Sequence, residues 1–85
     1  KMYDKLNREE QHVHSSMISS TIETSKIGEG NHWYNPETGN SGRVIITKQE
    51  EYCREYQQTV VIGGKEQQAY GTACKQPDGS WKIQN

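Results

Sequence analysis

Cys53 and Cys74 carry the side chains best suited to chemistry in this chain of 85 residues. A thiol can bind zinc, act as a nucleophile or form a disulfide. Neither cysteine lies in a C-x-x-C motif, and only His12, His14 and His32 could complete the four ligands that a zinc site needs. The spacing therefore favours a structural disulfide over a zinc site or a reactive thiol.

The two cysteines are symmetric about the dipeptide Gly63-Gly64, ten positions before its first residue and ten after its second. Two glycines between strand-like runs predict a two-residue hairpin turn, because such turns need positive φ angles. In that hairpin Cys53 lies directly opposite Cys74, in a non-hydrogen-bonded pair whose Cα atoms are about 4.5 Å apart. This spacing is at the short end of the disulfide range, so we expect a bridge and an oxidising compartment.

The histidines and serines offer no catalytic arrangement. On a helix, His12 and His14 point to opposite sides and cannot bind one metal ion together, so both are expected to be solvated. A serine with His14 or His32 and Glu23 could be imagined as a triad, but the chain has no G-x-S-x-G or other nucleophile motif. We predict no catalytic, cofactor-binding or metal-binding residues, and we do not expect an enzyme.

Composition limits both the core and the partners of this protein. Only 29% of its residues are hydrophobic, and a core this small usually needs a covalent staple. The net charge is -1, and interleaved acidic and basic residues leave no basic stripe for nucleic acid. No segment reads as a transmembrane helix or a signal peptide. Because an oxidised cysteine pair implies export, we expect the chain to be part of a longer exported precursor.

The elements that position these residues indicate one α+β domain spanning 1–85, with an N-terminal helix packed on a four-stranded antiparallel meander sheet. Asn7 followed by Glu10 is a capping-box signature for the start of the helix. Residues 31–34 are expected to be a short extended piece outside the sheet. The predicted bounds are about 7–25 for the helix and about 43–48, 51–62, 65–75 and 80–84 for the strands.

Side-chain alternation divides the central hairpin into two faces. The face with Tyr56 is predicted to form the core beneath the helix, joined by Trp81 and Ile83. Gly71 falls opposite Tyr56, where the ring can lie across the missing side chain. The other face is rich in Thr and Gln, and together with the segment after the helix it is the candidate partner surface. That surface comprises Trp33, Tyr34, Asn35, Thr59, Gln68, Tyr70 and Thr72.

Several longer motifs carry a resemblance. They are Trp33 with Asn35-Pro36-Glu37-Thr38-Gly39, Tyr52-Cys53-Arg54-Glu55-Tyr56, Thr59-Val60-Val61-Ile62-Gly63-Gly64-Lys65, Ala69-Tyr70-Gly71-Thr72-Ala73-Cys74 and Gln76-Pro77-Asp78-Gly79-Ser80-Trp81. Together they closely resemble the C-terminal domain of the rickettsial-type 17-kilodalton surface antigen family, over about residues 6–84. The link between Thr47 and Tyr52 is shorter than is usual in that family, and the helix carries His and Ser where the family tends to have Ala, Arg and Leu.

The resemblance implies location more than chemistry. Such proteins are exported outer-membrane lipoproteins, attached through a lipidated N-terminal segment that precedes this domain and is missing here. It implies no catalytic residues and no cofactor. We expect a non-catalytic interaction or structural module of the bacterial envelope, facing the periplasm or the cell surface, whose partner is an envelope protein or peptidoglycan. The alternatives are a secreted inhibitor or effector-type protein-binding domain, and a small envelope hydrolase.

Overall fold

The computed structural model describes residues 5–84 as a helix on one face of an antiparallel sheet, so the α+β prediction is confirmed. The elements are α1 (Arg8–Thr24), β1 (Gly30–Tyr34), β2 (Ser41–Gln49), β3 (Cys53–Ile62), β4 (Lys65–Lys75) and β5 (Trp81–Gln84). Residues 1–4 and 85, which the single-domain prediction includes, lie outside the described residues. Within the described part, no helix combines the length and apolar character needed to cross a membrane.

The prediction of four strands is wrong, because the sheet has five in the order of the chain. The additional strand is β1, which pairs antiparallel with β2 and sets Trp33 opposite Gly42. The turn between them closes through a hydrogen bond of 2.9 Å from Asn35 N to Asn40 O. Gly30 approaches β2 so closely that an added Cβ would overlap the carbonyl oxygen of Val44. Because β1 forms only by pairing with β2, the sequence of residues 30–34 alone did not predict a strand.

The helix α1 begins with the predicted capping box. Asn7 Oδ1 accepts from Glu10 N over 2.7 Å, and Glu10 Oε1 accepts from Asn7 N over 3.0 Å. These bonds satisfy two of the backbone donors that every helix leaves free at its N-terminus. At the other end Ser25 is the C-cap, so the helix is one residue shorter at each end than the predicted 7–25.

The central hairpin has the predicted register, with Cys53 opposite Cys74 and Tyr56 opposite Gly71. Its turn residues, Gly63 and Gly64, have φ angles of 58° and 81°, as a type I′ turn requires. The two cysteines form a disulfide, and their Cα atoms are 4.0 Å apart. The cross-strand staple predicted from the sequence is therefore confirmed.

The core lies between α1 and the face of the sheet that carries Tyr56. Met17 and Trp81 pack against its edge, whereas Ile83 stays 44% exposed. An added Cβ on Gly71 would overlap the Tyr56 ring, so the ring occupies the space of the missing side chain, as predicted. The buried hydrophobic cluster comprises Ile18, Ile22, Val44, Ile46, Tyr56 and Ala73.

Candidate functional site

The second face of the sheet, which we call the open face, is not covered by α1. Five residues of the predicted partner surface lie on it, because strand alternation and register direct their side chains there. Thr59 pairs with Gln68, and Gln57 pairs with Tyr70, in neighbouring rows across β3 and β4. The five residues are Tyr34, Thr59, Gln68, Tyr70 and Thr72.

A groove of about 390 Å³ crosses the open face near the Gly63-Gly64 end of the hairpin. Tyr34 forms one wall and is 63% exposed, whereas Thr59 is buried beneath its neighbours and forms part of the floor. Arg43 and Glu66 place opposite charges along the lining. A mostly apolar lining with an aromatic wall and a few charged groups is the usual composition of a ligand-binding groove.

The middle of the open face is held by hydrogen bonds between its own polar side chains. Gln57 Nε2 donates to Gln68 Oε1 over 3.0 Å, and Gln68 Nε2 donates to Glu66 Oε2 over 3.2 Å. Lys48 Nζ lies 3.8 Å from Glu55 Oε2, in a pair whose side chains are 61% and 41% exposed. Exposed pairs of this kind contribute little stability, so a partner could displace them at small cost.

Trp33 and Asn35, the other two residues of the predicted partner surface, are placed elsewhere. Trp33 lies on the helix side of the sheet, where its Nε1 donates to His14 Nδ1 over 2.9 Å. Asn35 lies in the turn after β1, and its Nδ2 donates to Glu10 Oε2 over 2.9 Å. Both side chains therefore join the strand β1 and its turn to the helix.

The prediction that His14 is solvated is wrong, because its side chain is fully buried between α1 and the sheet. Trp33 donates to Nδ1, so the ring proton must lie on Nε2, which donates to Gln58 Oε1 over 2.9 Å. An added Cβ on Gly42 would overlap both rings, so that glycine makes room for the contact. The sequence signal was periodicity, because His14 precedes the buried Ile18 by one helical turn.

We expect the fold to lose stability as the pH falls below about 6.5. Burial lowers the pKa of His14 below its usual 6.5, although the hydrogen bond to Gln58 opposes this shift. Below pH 6.5 the His14 side chain of the unfolded chain binds a proton more readily than that of the folded chain, so acid favours unfolding. The stability that neutral His14 contributes is therefore complete only above that pH. Urea unfolding monitored across pH 5 to 8 measures the effect.

The matched variants for this pH dependence are His14→Gln and His12→Gln, since His12 is exposed on the same helix. His14→Gln should flatten the stability curve between pH 5 and 7, although it lowers stability at neutral pH. His12→Gln should leave the curve unchanged in shape. Parallel curves for the wild-type protein and His14→Gln would contradict the role of His14.

Glu10 is a buried carboxylate at the N-terminus of α1, and it accepts hydrogen bonds from three separate side chains as well as from the helix cap. Thr38 Oγ1 donates to Oε2 over 2.6 Å, and Asn40 Nδ2 donates to Oε1 over 3.2 Å. Asn35 and the Asn7 backbone complete the set. Burial raises the pKa of Glu10, but these hydrogen bonds outweigh it, so the net shift is below the usual 4.5.

Arg54 connects the opposite end of α1 to the sheet. Its Nη1 donates to the carbonyl oxygens of Ile22 and Ser25, which the helix terminus leaves free. Nη2 donates to Gln49 Oε1 over 3.1 Å, and the guanidinium lies 5.6 Å from the Trp81 ring centroid. The last turn of the helix has no basic residue of its own, so this strand residue supplies the positive charge that favours a helix C-terminus.

The buried side chains of Glu10 and His14 are both engaged in contacts between helix and sheet. Within residues 5–84, no three His, Cys, Asp or Glu side chains are close enough to hold a metal ion together. Glu10 and His14 are buried, and each is occupied by hydrogen bonds that maintain the contact between helix and sheet. Their arrangement is structural in character.

Comparison with known proteins agrees with the motifs found in the sequence. Residues 20–82 match the family described as 17 kDa outer membrane surface antigen. The chain is 51% identical to the 17 kDa surface antigen of Rickettsia bellii (strain RML369-C) and 52% identical to that of Rickettsia rickettsii. Each alignment covers 75% of this chain and 43% of the relative.

The 17 kDa surface antigen of Rickettsia prowazekii (strain Madrid E) is 48% identical over the same shares of the two chains. The chain thus spans less than half the length of the curated relatives it matches. No solved structure matches it. The family match covers most of the sheet, the disulfide and the end of the helix. The chain therefore belongs to the 17 kDa outer membrane surface antigen family, which assigns it to the outer membrane or the cell surface.

Proposed function

We propose that this chain is a non-catalytic interaction module of the bacterial envelope, and that its open face binds an envelope protein or peptidoglycan. The observation that carries the proposal is the difference between the two faces of the sheet. One face is covered by the helix and forms the core, whereas the other exposes Tyr70 and has a groove lined by the exposed Tyr34. Exposed aromatic residues beside polar groups are typical of recognition surfaces.

The non-catalytic part of this proposal is supported by the hydrogen bonds of the buried titratable side chains. A general acid or base must reach a substrate through a hydrogen bond. His14 has both ring nitrogens occupied, by Trp33 and Gln58, and its side chain is buried between the helix and the sheet. Glu10 has both carboxylate oxygens occupied and is 3% exposed. Neither group has a free position from which to transfer a proton.

Site-specific photocross-linking in intact cells tests the proposal. A photoreactive amino acid at Tyr70 lies on the open face, and one at Ser16 lies on the exposed side of α1 as the matched control. We expect a discrete cross-linked envelope protein, or cross-linking to purified peptidoglycan sacculi, from position 70 only. The substitution Arg43→Ala in the groove should reduce the yield at position 70 at least threefold, because it removes a charged group from the lining.

Two results would overturn this proposal. One is an identical set of cross-linked products from positions 70 and 16, or no product from either. The other is capture of a soluble enzyme whose activity falls on binding, which would instead favour a secreted inhibitor. Circular dichroism of each variant confirms that the fold is retained, so that a lost cross-link reports on the surface.

A further inference from the structure

The strand β1 is at one edge of the described sheet, with β2 as its partner on the other side. Ile46 N donates to Glu29 O over 3.0 Å just before this strand, and Asn35 N donates to Asn40 O over 2.9 Å just after it. The backbone groups of successive residues alternate in direction, so odd-numbered residues of β1 face β2. The even-numbered residues therefore direct their N–H and C=O groups away from the sheet. They are Gly30, His32 and Tyr34.

This edge lacks the features that keep most exposed strands from pairing. Natural edge strands carry charged side chains, proline or a bulge. The sequence of β1 is Gly-Asn-His-Trp-Tyr, and its register with β2 runs from Gly30 to Tyr34 without a shift. The opposite edge, β5, carries Lys82. Of the two edges, β1 is the one suited to receive another strand.

We propose that β1 pairs antiparallel with β1 of a second copy of this chain, about a two-fold axis at His32. This pairing sets Gly30 of one protomer opposite Tyr34 of its partner, and the exposed ring can then lie across the residue that has no side chain. A tyrosine also lies opposite a glycine within the sheet, where Tyr56 pairs with Gly71, although at Gly30 the place of a Cβ is taken by Val44 O and the partner's ring would lie over the backbone. The sequence of β1 is therefore complementary to itself, which favours a second copy over an unrelated strand.

Charge also favours this pairing. The strand carries no Asp, Glu, Lys or Arg, so two copies meet without like charges in register. One five-residue strand makes an interface below the roughly 1,200 Å² at which stable complexes begin, so the dimer should be weak in dilute solution. Attachment to a common surface can raise effective concentrations to about the millimolar range. The dimer would join two open faces into one continuous surface, independently of what that surface binds.

Sedimentation velocity over a wide range of protein concentration tests the dimer, with two matched lysine substitutions. Tyr34→Lys adds a charge at the proposed edge, and Tyr70→Lys makes the same change on the open face away from it. Both side chains are exposed, so both variants should fold. We expect Tyr34→Lys to raise the dimer dissociation constant at least tenfold and Tyr70→Lys to change it less than twofold. Equal effects, or a wild-type chain that stays monomeric at millimolar concentration, would overturn the proposal.

Two proline substitutions provide an independent test of which edge is used. His32→Pro and Ile83→Pro each remove an outward N–H from an edge strand, one from β1 and one from β5. Only His32→Pro should abolish the dimer. Amide exchange at His32 and Tyr34 of the wild-type chain should slow at least fivefold from dilute to millimolar protein. Exchange that does not depend on concentration, or protection that requires a strand from another protein, would count against self-pairing.

Discussion

Replacing Glu10 with leucine is expected to lower the free energy of unfolding by roughly 3 kcal/mol. The carboxylate accepts from Thr38, Asn35 and Asn40, so its removal leaves three side-chain donors without their acceptor. Asn40 is buried, and a buried donor left unsatisfied costs about 1–3 kcal/mol, whereas Thr38 is exposed and Asn35 half-buried, so both can turn to water. Asn40 also accepts from Gly63 N over 3.2 Å, so the loss extends to the turn between β3 and β4. Urea unfolding at pH 7 measures the change.

Glu9→Leu is the matched control, because Glu9 occupies the neighbouring helix position and is exposed. It should change stability by less than about 0.5 kcal/mol, as is usual for surface positions. The folded pKa of Glu10 lies below 4.5, so its contribution is present above that pH and is lost as the pH falls below it. Equal stability of the two variants at pH 7 would show that the network around Glu10 is not what holds the turn.

The central hairpin could be predicted almost completely, because its determinants are local. Gly63-Gly64 fixes the turn, the turn fixes the register, and the register sets Cys53 opposite Cys74. The capping box at the start of the helix could also be predicted from residues close together in the chain. In each case the residues that decide the structure are neighbours in the chain or are related by one tight turn.

The contacts between helix and sheet could not be predicted, because they depend on partners far apart in the chain. His14 bonds to Gln58, which is 44 positions away, and Arg54 donates to Ser25, the C-cap of the helix, which lies 29 positions before it. A polar residue on a weakly amphipathic helix is predicted to be exposed to solvent unless its distant partner is known. The strand β1 was missed for the same reason, since it forms only against β2.

The face on which each residue of the candidate surface lies could be predicted in part. Alternation within β3 and β4 correctly groups Thr59, Gln68, Tyr70 and Thr72 on one face, although Thr59 is buried there. Trp33 was predicted on the same surface as Tyr34, yet adjacent strand residues point to opposite faces. Once residues 30–34 are known to form a strand, the same rule assigns Trp33 to the helix side.

Removing the disulfide with the double substitution Cys53→Ala and Cys74→Ala is expected to lower the free energy of unfolding by roughly 3 kcal/mol. The bridge closes a loop with a sequence separation of 21 residues, and in the chain-entropy model it acts by restricting the unfolded chain. For a domain of this size the melting temperature should fall by more than about 10 °C. Thermal unfolding followed by circular dichroism measures the change.

The matched control is Glu55→Ala with Thr72→Ala, a cross-strand pair two positions further along the same face and similarly half-buried. It removes side-chain contacts without removing a covalent link, so it should cost less than about 1 kcal/mol. Reduction of the wild-type protein should reproduce the double alanine variant, since both open the same loop. Intact mass under non-reducing conditions should be lower than the reduced mass by two hydrogens. Free thiols in the native protein, or equal losses in the two double variants, would mean that strand pairing alone holds this end of the hairpin.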